Sequence, residues 1–170
     1  MSSERQTVSP QRKKARKRIS LVAVVALLAT ACTHETFFHS YRHIAPNGWR
    51  YTDTLEFLLP PAPQTEAYAL SVGLRIDACF PYQSLTLVVE TKADSLSLLR
   101  KDTLFWPLTQ DDGTLDGSGV NLLQFETPAG HLQLREGQQA RVRIYHIMSR
   151  ETMPHIHDVG LRCSRSDEGA

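Results

Sequence analysis

Cys32, three histidines and the two other cysteines are the residues of this chain whose types and spacing could do chemistry. Cys32 follows Ala29-Thr30-Ala31, preceded by an apolar run from Ile19 to Leu28 and a basic cluster of Arg12, Lys13, Lys14, Arg16, Lys17 and Arg18. That order is the pattern of a secretory signal peptide, and the apolar run is well short of the roughly 20 residues of a spanning helix. A cysteine directly after the small residues makes its thiol a lipid acceptor. Diacylglycerol would be added to the sulfur, the chain cut before Cys32 and the new amino terminus acylated, so residues 1–31 form a discarded lipoprotein signal peptide. Several acyl chains, at about 0.8 kcal/mol per buried methylene, would hold the remainder on a membrane.

His146, His155 and His157 are the second set. A His-x-His pair on a strand puts both imidazoles on one face, and a third histidine on an adjacent strand completes a zinc or copper set, with Asp158 a nearby carboxylate. The plainer reading, adopted here, has His146 facing the core and the other two in the connection from Arg150 to Asp158 around Pro154. No metal and no other cofactor is then expected. Cys79 and Cys163 are the third set; an exported compartment permits them to pair, and closing so long a loop would contribute about 4 to 5 kcal/mol. Cys163 is in phase with Val159 and Leu161 and points inward, whereas Cys79 is out of phase with Leu70, Val72, Leu74 and Ile76. Two ordinary unpaired thiols are therefore the alternative.

Other constellations fail on spacing. The acidic, glycine-rich stretch 111–119 lacks the order of a calcium loop and reads as turns. Gly117-Ser118-Gly119 is not a nucleophile elbow, and no two carboxylates can be placed across a sugar bond. The chain is expected not to be an enzyme, with no catalytic residue. Trp49, Tyr51, Tyr68, Tyr82, Trp106 and Tyr145 could form a sugar-stacking platform of the kind found in carbohydrate-binding sandwiches, or could serve as core and rim packing.

Seven of the 19 Lys+Arg and one of the 18 Asp+Glu precede Cys32, leaving 12 against 17 in the mature part, a net of −5. Nucleic acid is thereby excluded as a natural partner, because the basic run lies in the discarded segment. The elements that must position the candidate residues are strands. Residues 32–40 read as a lipidated tether, and Ala45-Pro46-Asn47-Gly48 as a turn. Alternation of apolar and polar residues predicts strands over 49–59, 68–76, 84–91, 98–108, 122–126, 132–134, 141–148 and 159–163. Pro107 argues for an edge or a bulge. No window carries helical spacing, so the expected fold is all-β: a single β-sandwich, jelly-roll-like, over residues 41–165, with a disordered tail at 166–170.

The succession of short motifs resembles the gliding-motility lipoprotein GldH family of Bacteroidetes. The stretches are His39-Ser40-Tyr41-Arg42-His43-Ile44, Asn47-Gly48-Trp49-Arg50-Tyr51-Thr52-Asp53-Thr54-Leu55, Tyr68-Ala69-Leu70-Ser71-Val72-Gly73-Leu74-Arg75 with Phe80-Pro81-Tyr82, Leu85-Thr86-Leu87-Val88-Val89-Glu90, Asp102-Thr103-Leu104, Leu115-Asp116-Gly117-Ser118-Gly119 and Ile156-His157-Asp158-Val159-Gly160-Leu161-Arg162. The resemblance implies a membrane-anchored periplasmic accessory of the gliding apparatus and its associated secretion machine. It would work by contact with other envelope proteins and carries over no catalytic residue. Thr33 after the lipid-acceptor cysteine, in place of aspartate, suggests the outer membrane, and the absence of an acidic run after it suggests the periplasmic face.

Overall fold

Alternating side chains build ten β-strands in the computed structural model, which describes residues 36–93 and 100–166. They are β1 (Thr36–His43), β2 (Trp49–Arg50), β3 (Leu55–Leu58), β4 (Glu66–Ile76), β5 (Ser84–Ala93), β6 (Arg100–Pro107), β7 (Leu123–Leu134), β8 (Ala140–His146), β9 (Thr152–Met153) and β10 (Ile156–Arg165). No helix occurs among the described residues. Each strand of the first half pairs antiparallel with its counterpart counted from the other end: β1 with β10, β2 with β9, β3 with β8, β4 with β7 and β5 with β6. The chain is thus one long hairpin. Two further pairings, β10 with β4 and β5 with β8, roll it into two four-stranded sheets, ordered β1-β10-β4-β7 and β3-β8-β5-β6. Setting aside the short β2/β9 ribbon, the first sheet holds the first, last, third and sixth strands, and the second holds the second, seventh, fourth and fifth. That is jelly-roll topology, as expected.

The inward faces supply a single apolar cluster. Tyr68, Val72, Leu74, Ile76, Val159 and Leu161 of the first sheet join Phe57, Leu85, Leu87, Val142 and Ile144 of the second, all buried. At about 1.5–3 kcal/mol for each large side chain, this burial outweighs any single polar contact in the molecule.

Several expected boundaries move. β1 starts at Thr36, inside the stretch read as tether, because Phe37 and Phe38 pack against the core and the Phe37 ring lies 5.1 Å from that of Tyr68. The strand expected over 49–59 is broken between β2 and β3. There the Trp49 indole N–H donates to the Asp53 carbonyl at 2.8 Å and the Asp53 amide donates to Arg50, turning the chain from the ribbon into the second sheet. The two short strands expected at 122–126 and 132–134 are one, β7. Pro128 is tolerated within it because β7 is an edge strand, and the register against β4 slips between Ala69 and Ser71. Pro107 likewise ends an edge strand, β6. At the other terminus the pairing runs one residue past the expected limit, since the Ser166 amide donates to Ala67.

On the outer face of the first sheet, Tyr41, Gly160 and Gly73 lie in one cross-strand row. A Cβ at Gly160 would sit 2.6 Å from the Tyr41 ring, and one at Gly73 would sit 2.5 Å from its hydroxyl. The ring therefore lies flat on bare backbone, and the Arg75 guanidinium covers it 4.0 Å from the ring centre.

Candidate functional site

At the end of the first sheet where β4 finishes and β10 begins, one carboxylate gathers two imidazoles and a cysteine loop. His155 Nδ1 and His157 Nε2 each lie 3.0 Å from Asp77 Oδ2, and the Cys79 amide donates to Asp77 Oδ1 at 2.7 Å. Pairing of Ile156 with Ile76 brings the two chain segments together, and the Asp77 amide donates to the His155 carbonyl at 3.2 Å. A β-bulge between Ile156 and Asp158 re-aims the intervening His157, which keeps Ile156 and Val159 in the core and turns His157 to Asp77. His155 sits in the left-handed region at φ 63°, the one described non-glycine residue with positive φ, and that conformation costs of order 1 kcal/mol. Burial raises the Asp77 carboxyl, but the hydrogen bonds from His157, His155 and the Cys79 amide outweigh it and bring the group down to about 2.

Beside this cluster lies a recess of about 270 Å³, walled by His43, Pro46, Asn47, Pro154, His155 and His157. The His155 and His157 side chains are each 41% exposed, so solutes reach them.

His146 is not part of the cluster. It lies on β8, in the second sheet, and is buried with its ring edge-on to Trp49, as the core-facing reading expected. Its Nε2 is 3.0 Å from the Trp49 carbonyl, which fixes the proton on Nε2, and its buried Nδ1 has no partner. Burial lowers the imidazole's pKa, against the weaker opposing effect of the Trp49 bond. The alternative three-histidine set is thus divided: His155 lies in the connection as expected and His157 just beyond it in β10, both turned to Asp77, while the third imidazole belongs to the other sheet. Asp158 pairs instead with His43 at 3.3 Å and with Arg75. Asp77 and Cys79 complete the local set in its place, and no short-range pattern marks them as partners of the histidines.

The disulfide between Cys79 and Cys163 is not formed; both thiols are free, Cys79 exposed and Cys163 buried. Cys163 stands opposite Leu70, six residues from the Ile76 end of β4 that leads to Cys79. Six residues of strand span about 20 Å, well beyond the roughly 7 Å that a disulfide bridges between Cα atoms. Burial pushes the Cys163 thiol up to about 12. The sugar-stacking platform is not assembled either. Trp49, Tyr68 and Trp106 are buried in the core, Tyr82 packs against Phe80, and Tyr145 donates to Glu90 at 3.0 Å; Tyr51 alone of the six is broadly exposed. Cys32 and the expected signal peptide lie outside the described residues, as do residues 167–170.

The sequence profile of the GldH lipoprotein family matches residues 36–163, which is nearly the whole described sandwich. The chain belongs to the GldH lipoprotein family. A curated relative, "Gliding motility lipoprotein GldH" of Flavobacterium johnsoniae, is 29% identical over 103 residues, covering 61% of this chain and 64% of that protein's length. The stretches that carry the resemblance are distant in sequence but meet in space: Tyr41 from the first, Gly73 from the third and Gly160 from the last form the cross-strand row on the first sheet. Among solved structures, the mosquito-larvicidal Cry4Aa toxin of Bacillus thuringiensis is similar at TM-score 0.42 and 7% identity, over 69% of this chain and 19% of that one. A family 35 carbohydrate-binding module from Clostridium thermocellum is similar at TM-score 0.36 and 12% identity, over 73% and 89%. At those scores neither transfers a property to this chain.

Proposed function

We infer that this GldH-family chain is a lipid-anchored accessory of the gliding-motility apparatus and its associated secretion machine, and that it acts by contact with other envelope proteins. The observation that carries the reading is the family match across the sandwich. Cys32 would be the attachment point after removal of residues 1–31; Thr33 beside it favours the outer membrane, and the lack of an acidic run after it favours the periplasmic face. Surface chemistry supports a contact role. Phe105 and Ile147 are exposed and flank Thr86 on the outer face of the second sheet, and the row of Tyr145, Val88 and Thr103 separates them from the charged row of Arg143, Glu90 and Lys101.

The test is fractionation and intact mass of the natively expressed protein beside a Cys32→Ala variant, followed by crosslinking in cells. A species beginning at Cys32 with added acyl mass, membrane-bound only while Cys32 is present and crosslinked to an envelope protein, is expected. Unmodified full-length protein in the soluble fraction, or an anchored protein that yields no envelope partner, would overturn the reading.

A further inference from the structure

We propose that Asp77, Cys79 and His155 form a binding site for a divalent zinc-type metal ion. The donor atoms of the three, a carboxylate oxygen, a thiol sulfur and an imidazole nitrogen, all lie within 4.8 Å of one another. A tetrahedral shell with bonds of about 2.0–2.3 Å sets its donors roughly 3.3–3.8 Å apart, so an inward movement of about 1 Å by side chains closes the set. Two of the three are already closer: His155 Nδ1 and Asp77 Oδ2 are 3.0 Å apart.

The donor types decide which ion. One thiolate, one imidazole and one carboxylate suit a borderline-soft ion such as Zn²⁺ or its spectroscopic substitute Co²⁺; Mg²⁺ and Ca²⁺ require oxygen ligands throughout. On binding, the Cys79 thiol releases its proton to solvent, and the metal takes the place of the proton between His155 Nδ1 and Asp77, the imidazole binding as the neutral tautomer with its proton on Nε2. Three protein ligands leave a fourth position to water.

The surroundings are those of a metal site with an outer shell. His157 Nε2 is 3.0 Å from the same Asp77 oxygen, and the Cys79 amide holds the other, so the carboxylate is oriented from two sides before any ion arrives. Both Cys79 and His155 are exposed, which gives the ion an open path. The site also lies on segments that the strand pairing fixes: Ile76 is paired with Ile156, one residue from Asp77 and one from His155. Its ligands come from both halves of the long hairpin, so a bound ion would tie the loop after β4 to the start of β10.

The experiment uses the full chain carrying Cys32→Ala, reduced and free of any polyhistidine tag, so that Cys79 is the exposed thiol among the described cysteines. Zn²⁺ is titrated with a chelating dye as competitor, and Co²⁺ is followed by the thiolate-to-cobalt charge-transfer band. One Zn²⁺ per chain and a cobalt band are expected. Cys79→Ser should abolish the band and weaken Zn²⁺ by more than tenfold, and His155→Gln should weaken it similarly. His157→Gln, an outer-shell change, should cost roughly 10- to 100-fold or less. His131→Gln, on the exposed side of β7, should change nothing. Circular dichroism on each variant separates loss of the site from loss of the fold. A folded parent that binds no stoichiometric Zn²⁺, or binding that survives Cys79→Ser and His155→Gln, would overturn the proposal. Either result leaves the question of an envelope partner untouched, because that is read from crosslinks and not from metal content.

Discussion

Replacing Gly160 by alanine tests whether Tyr41 is what seals the outer face of the first sheet. The added Cβ would meet three atoms of the Tyr41 ring at 2.6 to 2.8 Å, closer than real carbon contacts come, so the ring must leave. Leaving removes its stacking under Arg75, now 4.0 Å from the ring centre, and the packing of the ring on the two glycines. The cation–π contact is of order 0.5–1 kcal/mol at a surface, and the lost apolar contact adds about as much, for roughly 1–2 kcal/mol in total. Alanine in place of a strand glycine returns about 0.5–1 kcal/mol by restricting the unfolded chain. The net expectation is a destabilisation of about 0–1.5 kcal/mol. In a Tyr41→Ala background the obstructing ring is gone and only the favourable part remains, so the same Gly160→Ala change should stabilise. The assay is a double-mutant cycle by guanidinium denaturation, in which a coupling of roughly 1–2 kcal/mol and a reversal of sign are expected. Equal destabilisation by Gly160→Ala in both backgrounds would refute the reasoning and place the cost in the backbone.

Three further outcomes follow from side-chain surroundings. In the full chain with Cys32→Ala, a maleimide should add one mass increment under native conditions, at exposed Cys79, and a second only in denaturant, at Cys163; reductant should not change the melting temperature. Acidification should destabilise the fold through His146, whose folded pKa is lowered by burial. The unfolded chain takes up the proton first, so this stability is present above about 6.5 and is lost as pH falls from there toward the folded value. His146→Gln, which keeps a donor for the Trp49 carbonyl but does not titrate, should flatten that part of a melting-temperature profile between pH 7 and 5. Glu90→Ala should destabilise by about 1–2 kcal/mol in denaturant titrations, because it strips partners from Lys101, Arg143 and Tyr145 on a carboxylate only 12% exposed.

Period-two alternation made the strands legible, and strand count with frequent turns made the sandwich legible. The inward aim of Cys163 and the outward aim of Cys79 could both be read from phase alone. Phase does not encode how far apart those residues stand along paired strands; the Cys163 to Leu70 pairing sets that distance and separates the two thiols. Breaks were equally hidden. The turn after Trp49 depends on an indole bond to the Asp53 carbonyl, and the continuity of β7 through Pro128 depends on its being an edge; neither is a property of the local residues. The aromatic residues show the same limit, since a tryptophan on an alternating strand reads alike whether its face turns to the core or to solvent.

The Asp77 cluster shows where such reading ends. Plain alternation would put His157 in phase with buried Val159 and Leu161; the turn at His155 and the bulge at His157 instead send Ile156 to the core and both imidazoles to Asp77. What completes the set is decided by the rolling of the hairpin. β4 belongs to the first half of the chain and β10 to its end, and they meet because the roll of the hairpin lays β10 against β4. That one contact brings an Asp-x-Cys loop to a His-x-His strand and leaves His146, much nearer in sequence, in the opposite sheet. A strand pattern specifies faces and leaves partners to topology, so residues that do chemistry together in a jelly roll are expected from opposite halves of the chain. Searches for paired ligands in this family should therefore scan residues flanking the strands that the roll lays together, β4 with β10 and β5 with β8, before residues that are close in sequence.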